Sequence, residues 1–499
     1  MPSLSRKKRC PNGTRRNKRT GECDKKNQEI NQNQNQNKRC PNGTRRNKKT
    51  GNCDKKNQEI NIHNNNNHNN HRSAIKKIQN FMLKTTQKRK LNFLKSVCSD
   101  SGVCIAFGQE IQKIQDFFGN FNKFKYVTGI KQIGKKSSNG FVLEIQYSRE
   151  NYNAHSILKN SLKKSSDNLS YEYFVGQYIN KKMNRFPCFL ETYGLFVRNP
   201  LNNGPMDLQT DLTLLSDKSK SNEEIYKISC KQSEQLSILI QHISNAQTLG
   251  DKLHSPDFIM NDLLFVLYQI YMPLMCLQNE FTHYDLHSDN VLIYEPVIGK
   301  YIQYHYFVDG NKISFKSKYI AKIIDYGRCF FYENTNNNSR NIHRKICRER
   351  SCNPECGEDY GYGWLHGNGL NGGDYYMDSS EVNISHDLRL LYDITLQKNK
   401  IPSFALPQNP TLRSLLYKVE YGIGIDDQNN KPYGTMPNPD SGIPDHINNV
   451  EDAYIMLEAL VNHSTMQKQN NTDYKHMTKL GDLYVYEEED KPIKFVPKK

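Results

Sequence analysis

The sequence predicts an α+β chain of two lobes, a small strand-rich one followed by a larger helical one. Both follow a mostly disordered basic amino-terminal region that carries two small cysteine-containing repeats. Three observations predict this. Val127-Thr-Gly-Ile-Lys-Gln-Ile-Gly134 and Phe141-Val-Leu-Glu-Ile-Gln-Tyr147 are apolar, β-branched runs around a polar turn, which reads as a strand pair. Ile259, Leu263, Val266, Leu267, Ile270, Leu274 and Leu277 recur at helical spacing after Ser255-Pro256, a cap and first turn. Downstream lie two short apolar strands, one preceded by a polar loop and one followed by Asp325-Tyr-Gly327.

At 499 residues the chain is long enough for two or three domains. Its net charge of +17 is uneven: residues 1–95 carry +21, and the remainder is −4. The basicity therefore belongs to the amino-terminal region, not to a groove across the whole protein. A basic tail fits an acidic partner, either a protein or, less directly, nucleic acid; a solvated tail fits equally well. No uncharged apolar run approaches the ~18 residues of a spanning helix, and the first residues lack the apolar core of a signal peptide. The expectation is a soluble intracellular protein without membrane association, whose 13 cysteines are mostly thiols.

Residues 8–31 and 38–61 are an internal repeat with a period of 30. Lys8-Arg-Cys-Pro-Asn-Gly-Thr-Arg-Arg-Asn-Lys18 recurs from Lys38, and the units hold the pairs Cys10/Cys23 and Cys40/Cys53. Pro-Asn-Gly and Thr-Gly are turn signals, so each unit reads as a small hairpin-like module. A shared metal, a disulfide within each unit and free thiols all remain open. The repeat resembles the two-cysteine adaptor domain of giant DNA viruses, which implies attachment to other proteins. Residues 62–72, rich in Asn and His, have nothing to bury and read as a linker. Residues 73–95 form a basic helix candidate in which Ile75, Ile78, Phe81, Met82 and Leu83 cluster among lysines.

The strand-rich lobe spans residues 96–243 and the helical lobe 244–499. After the first strand pair, Ser156-Ile-Leu-Lys159 reads as a strand, and Asp167 to Ile179 as a helix with Leu169, Phe174, Val175 and Ile179 inward. Phe189–Val197 and Leu236–Ile240 read as further strands, with residues 198–233 as a polar loop or excursion between them. Pro273 interrupts the long apolar helix and is expected to kink it. Tyr301–Val308 and Lys312–Lys316 flank Asp309-Gly-Asn311 and read as an extra hairpin over 301–316. Cys347, Cys352 and Cys356, near His343 and Cys329, read as reduced loop cysteines, with a zinc site the less favoured alternative.

The chemistry concentrates in Phe281-Thr-His-Tyr-Asp-Leu-His-Ser-Asp-Asn-Val-Leu-Ile293 and Ala321-Lys-Ile-Ile-Asp-Tyr-Gly327. H-x-D-L-x-x-x-N before a strand, followed by a strand ending in D-Y-G, resembles the catalytic loop and metal-binding triplet of eukaryotic-type protein kinases. The resemblance implies ATP and Mg²⁺ as cofactors. It implies Asp285 as catalytic base, and Asn290 and Asp325 as hard-oxygen metal ligands. Lys159 stands where a kinase lysine holds the α/β-phosphates, and Glu172, thirteen residues on, would fix it. Gly134 and Gly140 bound the turn at the place of the phosphate-covering loop, with two glycines instead of three. Gln241 and Ile243 would frame the hinge that meets the adenine edge. Asp387 in Ser385-His-Asp-Leu-Arg-Leu-Leu391 matches the buried aspartate that ties the large lobe to the catalytic loop, and Asn353-Pro-Glu355 faintly resembles A-P-E.

Two departures bear on function. Tyr284 replaces the Arg that reads activation-loop phosphate, so that mode of regulation is not expected. His287 stands where protein kinases often keep Lys, and it carries charge onto the γ-phosphate only when protonated. The leading expectation is a serine/threonine protein kinase with a protein substrate, resembling those of giant viruses. That resemblance implies the host cytoplasm or packaging in the virion. The alternatives are a small-molecule kinase on the same fold and a pseudokinase scaffold acting through the repeats.

Overall fold

The computed structural model describes residues 14–16, 23–25, 44–46, 53–55, 106–136, 140–162, 168–199, 206–217, 219–243, 245–348, 379–397, 409–419 and 446–498. Several sequence expectations fall outside the described residues. These are Cys10 and Cys40, the 62–72 linker, the 73–95 helix, the centre of the Gly134–Gly140 turn, Cys352, Cys356 and Asn353–Glu355.

The amino-terminal unit runs from Met1 to Met82. Each repeat there forms an antiparallel hairpin: β1 (Thr14–Arg16) with β2 (Cys23–Lys25), and β3 (Thr44–Arg46) with β4 (Cys53–Lys55). The register is the same in both, Arg16↔Cys23 and Arg46↔Cys53, as an exact repeat of turn residues requires.

In the second unit, α1 (Gln109–Phe117) precedes β5 (Val127–Ile133), β6 (Gly140–Arg149) and β7 (Tyr152–Ser161). Then follow α2 (Asn168–Lys182), β8 (Thr192–Arg198), β9 (Leu212–Leu214), α3 (Asn222–Lys231) and β10 (Leu236–Gln241). The strands make one sheet in the order β5-β6-β7-β10-β8-β9. Segment 198–233 is therefore not simply a loop. It supplies an edge strand, and it supplies α3, whose Ser221 and Glu224 make a reciprocal capping box. Polar composition hid this helix because only Ile225, Tyr226, Ser229 and Cys230 face inward.

One face of the sheet is filled by Leu143, Ile145, Tyr147, Leu158, Phe196 and Leu239 against Phe117, Phe118, Phe121 and Phe124. The other face carries α2, which is buried on nearly every side: Tyr171, Val175 and Ile179 are fully enclosed, and Phe174 packs on Tyr226 of α3.

The helical lobe begins with β11 (Gln247–Thr248), α4 (Leu249–Lys252), α5 (Pro256–Asn261) and α6 (Leu263–Cys276). The single long helix expected from the apolar spacing is thus two, broken at Asp262, whose φ/ψ of −121°/−30° leaves the helical region. Pro273 lies inside α6 and is buried. Then come β12 (Phe281–Thr282), β13 (Val291–Tyr294), β14 (Lys300–Val308), β15 (Asn311–Ser317), β16 (Ile320–Ile323) and β17 (Phe330–Phe331). Helices α7 (Ser339–Arg348), α8 (Arg389–Leu396), α9 (Pro410–Leu416), α10 (Val450–Asn462) and α11 (Ser464–Asp473) follow, and β18 (Thr478–Tyr486) and β19 (Lys494–Pro497) close the chain.

The extra hairpin β14–β15 does not stand alone. The carboxy-terminal β18 pairs with β14 in parallel and β19 extends it, giving the order β15-β14-β18-β19. Inward residues Ile302, Tyr304, Tyr306, Phe315, Leu483 and Val485 join the main core around α6. Among the described cysteines Cys188, Cys276 and Cys329 are free thiols, and Cys230 is disulfide-bonded. No helix among the described residues is long and apolar enough to cross a membrane. The architecture of this unit is α+β, a strand-rich lobe followed by a helical lobe.

Candidate active site

Strand pairing explains how distant motifs meet. β13 and β16 are antiparallel with Val291 opposite Ile323, and Ile324 donates its N–H to the Asn290 carbonyl at 3.0 Å. Asn290 and Asp325 are thereby brought to the same end of one strand pair. β12 pairs with β17, Phe281 opposite Phe331, so the chain entering the His283–Asn290 segment and the chain leaving Asp-Tyr-Gly run together. The burial of Val291, Ile293, Ile320 and Ile323 is why these short apolar strands hold their register.

Lys159 lies on β7 beside Ile238 of β10 and Val142 of β6. Its ammonium donates to Glu172 at 2.7 Å and to Asp325 at 3.4 Å. Burial alone would lower the Lys159 pKa, but Asp325 and Glu172 together hold it above its usual value. Burial raises the Glu172 carboxyl, with Lys159 opposing. The Lys159 charge holds the Asp325 carboxyl below the usual carboxylate range. Asp325 has a left-handed backbone, φ 68°, a conformation that L side chains adopt at a cost. Tyr326 anchors the turn by donating to the Ile323 carbonyl at 2.9 Å and accepting the Leu190 N–H at 2.8 Å.

The segment from His283 to Asn290 is held from several sides. Asp387 accepts the N–H groups of His283, at 2.8 Å, and Tyr284, at 3.0 Å. Asn290 donates through Nδ2 to the Asp285 carbonyl at 2.8 Å, which leaves its Oδ1 as the acceptor. His283 is fully buried, and desolvation pushes its pKa down to about 4, so the ring is neutral. Its Nε2 donates to the Ile324 carbonyl at 2.9 Å, and this bond, Asp285 and Asp325 oppose the desolvation without outweighing it. Tyr284, also at positive φ, donates to the Glu381 carbonyl at 2.7 Å and packs on His386. The Tyr284 ring is thus held in place by packing and a hydrogen bond.

Two arginines that motif reading does not single out flank Asp285. Arg389 Nη1 lies 2.6 Å from Oδ1, and Arg328 Nε 3.9 Å from Oδ2. His287 Nε2 is 3.9 Å from Oδ1. Arg328 follows Asp-Tyr-Gly directly, and Arg389 lies two residues after Asp387. Their types carry no spacing signal, and only the fold brings them to Asp285.

The remaining predicted positions are placed less directly. Gly140 sits in the β6–β7 ladder, where a Cβ would come within 2.0 Å of the Asn160 carbonyl oxygen, so strand packing already demands glycine there. Gly134 ends β5 at φ 67°. Gln241 ends β10 and donates its N–H to the Glu191 carbonyl at 2.8 Å, and Ile243 is buried just beyond. Among the described residues, no group of three His, Cys, Asp or Glu side chains forms a metal cage. Cys329 and His343 are both buried, and His343 stacks on Tyr171. Asp325 and the Asn290 Oδ1 are hard oxygens of the kind that hold Mg²⁺ together with phosphate and water, so the donor set fits that ion.

No protein-family model matches the chain. Over 216 residues, 42% of its length, it is 24% identical to Probable kinase 098L of Invertebrate iridescent virus 3, and the match spans 33% of that protein. It is also similar to a crystal structure of a kinase domain at 15% identity, with a TM-score of 0.25, covering 44% of this chain and 59% of that one. The sequence similarity to a probable kinase thus covers less than half of this chain, and the chain spans about a third of that relative's length.

Proposed function

We propose that the protein is an ATP-dependent phosphotransferase acting on a hydroxyl group, and that the acceptor is a serine or threonine of a protein. The observation that carries this reading is the single ammonium of Lys159 bonded to both Glu172 and Asp325, at the end of the strand pair that also holds Asn290 and the Asp285 loop. Phosphoryl transfer is mostly positioning and neutralisation of charge, and this is a set of groups suited to both.

In this mechanism Lys159 binds the α- and β-phosphates of ATP, held in place by Glu172. Asp325 and Asn290 would hold Mg²⁺, which supplies charge neutralisation to the phosphate oxygens when bound. The acceptor hydroxyl donates its hydrogen bond to the Asp285 carboxylate. Its oxygen forms the bond to the γ-phosphorus as the bond to the β–γ bridging oxygen breaks. ADP leaves with that electron pair, and the hydroxyl proton passes to Asp285. Gln241 and Ile243 would frame the adenine edge. The Gly134–Gly140 turn would cover the phosphates, and His287 lies beside the transferring group. The amino-terminal hairpins would attach the enzyme to an acidic or protein partner.

The test is transfer of label from γ-labelled ATP with Mg²⁺ to a mixed protein acceptor and, in parallel, to small alcohols. Wild type labels protein Ser/Thr, and Asp285→Asn labels it at least about 10²-fold more slowly. Labelling confined to small alcohols would overturn the protein acceptor, and absence of all transfer would overturn the activity.

A further inference from the structure

One short segment of the helical lobe grips the catalytic loop at three points. Asp387 takes the N–H groups of His283 and Tyr284. Asp393 takes the N–H of Ser288 at 2.9 Å. Arg389, between them, bonds the Asp285 side chain at 2.6 Å. The two aspartates fix backbone. Arg389 reaches the carboxylate that meets the acceptor.

We propose that Arg389 is a positioning residue for phosphoryl transfer. It fixes the rotamer of Asp285 by holding Oδ1, leaves Oδ2 for the acceptor hydroxyl, and supplies a permanent positive charge beside that carboxylate. The inference rests on the reading in which Asp285 receives the hydroxyl proton.

Three observations carry it. The 2.6 Å contact has the short length of a charge-assisted bond, and the Arg389 side chain is only 11% exposed, so water does little to screen it. A guanidinium stays protonated at every working pH, and its planar fork restricts the angle at which a carboxylate can sit. His287 makes no equivalent contact: its Nε2 stays 3.9 Å from Oδ1, against 2.6 Å for Arg389, and its Nδ1 is occupied by the Asp289 N–H at 3.2 Å. Arg328, 3.9 Å from Oδ2, borders the side left open for the acceptor.

The test is steady-state turnover of ATP with acceptor, kcat and KM for ATP read separately, in wild type, Arg389→Met, Arg389→Lys, Asp285→Asn and Asp285→Asn/Arg389→Met. Arg389→Met is expected to lower kcat by about 10²-fold, the scale on which a misplaced catalytic group loses rate, with KM for ATP changed less than about twofold. Arg389→Lys recovers part of the loss. In the Asp285→Asn background, removing Arg389 changes kcat by less than about twofold, because its target is already gone. Full multiplication of the two losses, or an equal change in KM for ATP, would overturn the inference. If Arg389→Met does not fold, Arg389→Lys on both backgrounds makes the same comparison. Wild type without turnover would overturn the phosphotransfer reading, whereas wild-type turnover with additive losses overturns only the role of Arg389.

Discussion

The Lys159 ammonium stands 2.7 Å from Glu172 and 3.4 Å from Asp325, so one cation ties the small-lobe sheet, its helix α2 and the Asp-Tyr-Gly strand to one point. Glu172 is the more buried of its two partners, with a side chain 5% exposed.

That asymmetry makes a two-part prediction for Lys159→Met. Catalysis should fall by about 10²-fold or more, as for loss of a charge that acts on the transferring phosphates. Stability should also fall, by about 2 kcal/mol, because the buried Glu172 carboxylate loses its compensating charge. Adding Glu172→Gln removes the stranded charge, so urea unfolding of the double variant should recover most of the stability and none of the rate. Equal stability of single and double variants would show that the carboxylate is not the cause.

Asp285 and Asp325 should separate chemistry from nucleotide binding. Asp285→Asn keeps a side chain of the same shape and is expected to retain ATP–Mg²⁺ binding while losing at least about 10²-fold in kcat. Asp325→Asn removes a hard anionic ligand and should weaken the Mg²⁺-dependent part of nucleotide affinity. Calorimetry with ATP, with and without Mg²⁺, distinguishes them, and identical binding losses in both variants would contradict the assigned roles.

A pH prediction comes from Asp262, at the break between α5 and α6. Its Oδ1 accepts from Tyr474 at 2.6 Å, and Lys318 lies 3.8 Å from Oδ2. Burial raises its pKa from 3.8 to about 6, outweighing both partners. The folded state thus holds the proton more tightly than the unfolded state between pH 4 and 6. The stability this gives is fully present below about pH 4 and is lost as pH rises to about 6. Asp262→Asn, which stays neutral, should therefore be more stable than wild type at pH 8, by on the order of 2 kcal/mol. The two should converge near pH 4. A lower Tm for the variant at pH 8 would mean that the Lys318 and Tyr474 contacts outweigh desolvation.

The sequence showed some of this well and some not at all, for physical reasons. Strands β5, β6, β7 and β10 alternate or run apolar, so their period is visible. The His283–Asn290 and Asp325–Gly327 segments stood out because their polar residues recur at short spacing beside apolar strands, and Asp387 because it falls near the start of an apolar helix. Arg389 and Arg328 carry no such pattern; an arginine's partner is set by tertiary placement. The helix break at Asp262 was hidden because the apolar spacing continues unbroken from Ile259 to Leu263. Helix α3 was missed because one turn of inward Ile225 and Tyr226 is a weak periodic signal within a polar stretch.

The carboxy-terminal strand is the largest such omission, and it makes the last prediction. Leu483-Tyr-Val-Tyr486 alternates inward and outward, but nothing local says which strand it joins. In the fold it lies parallel to β14, Leu483 beside Tyr304 and Val485 beside Tyr306, across a connection of more than 150 residues. Pairing of this kind is specified by the core it completes. Leu483 is fully buried, so Leu483→Ala should cost about 3 kcal/mol through lost burial and the cavity left behind. Tyr484, half-buried on the outer face, stacks on His305 and Phe307, and Tyr484→Ala should cost about 1 kcal/mol or less. Urea denaturation of both variants measures the difference. Equal costs would mean that β18 is attached at the surface and is not built into the core, and the hairpin β14–β15 would then have to be stable without it.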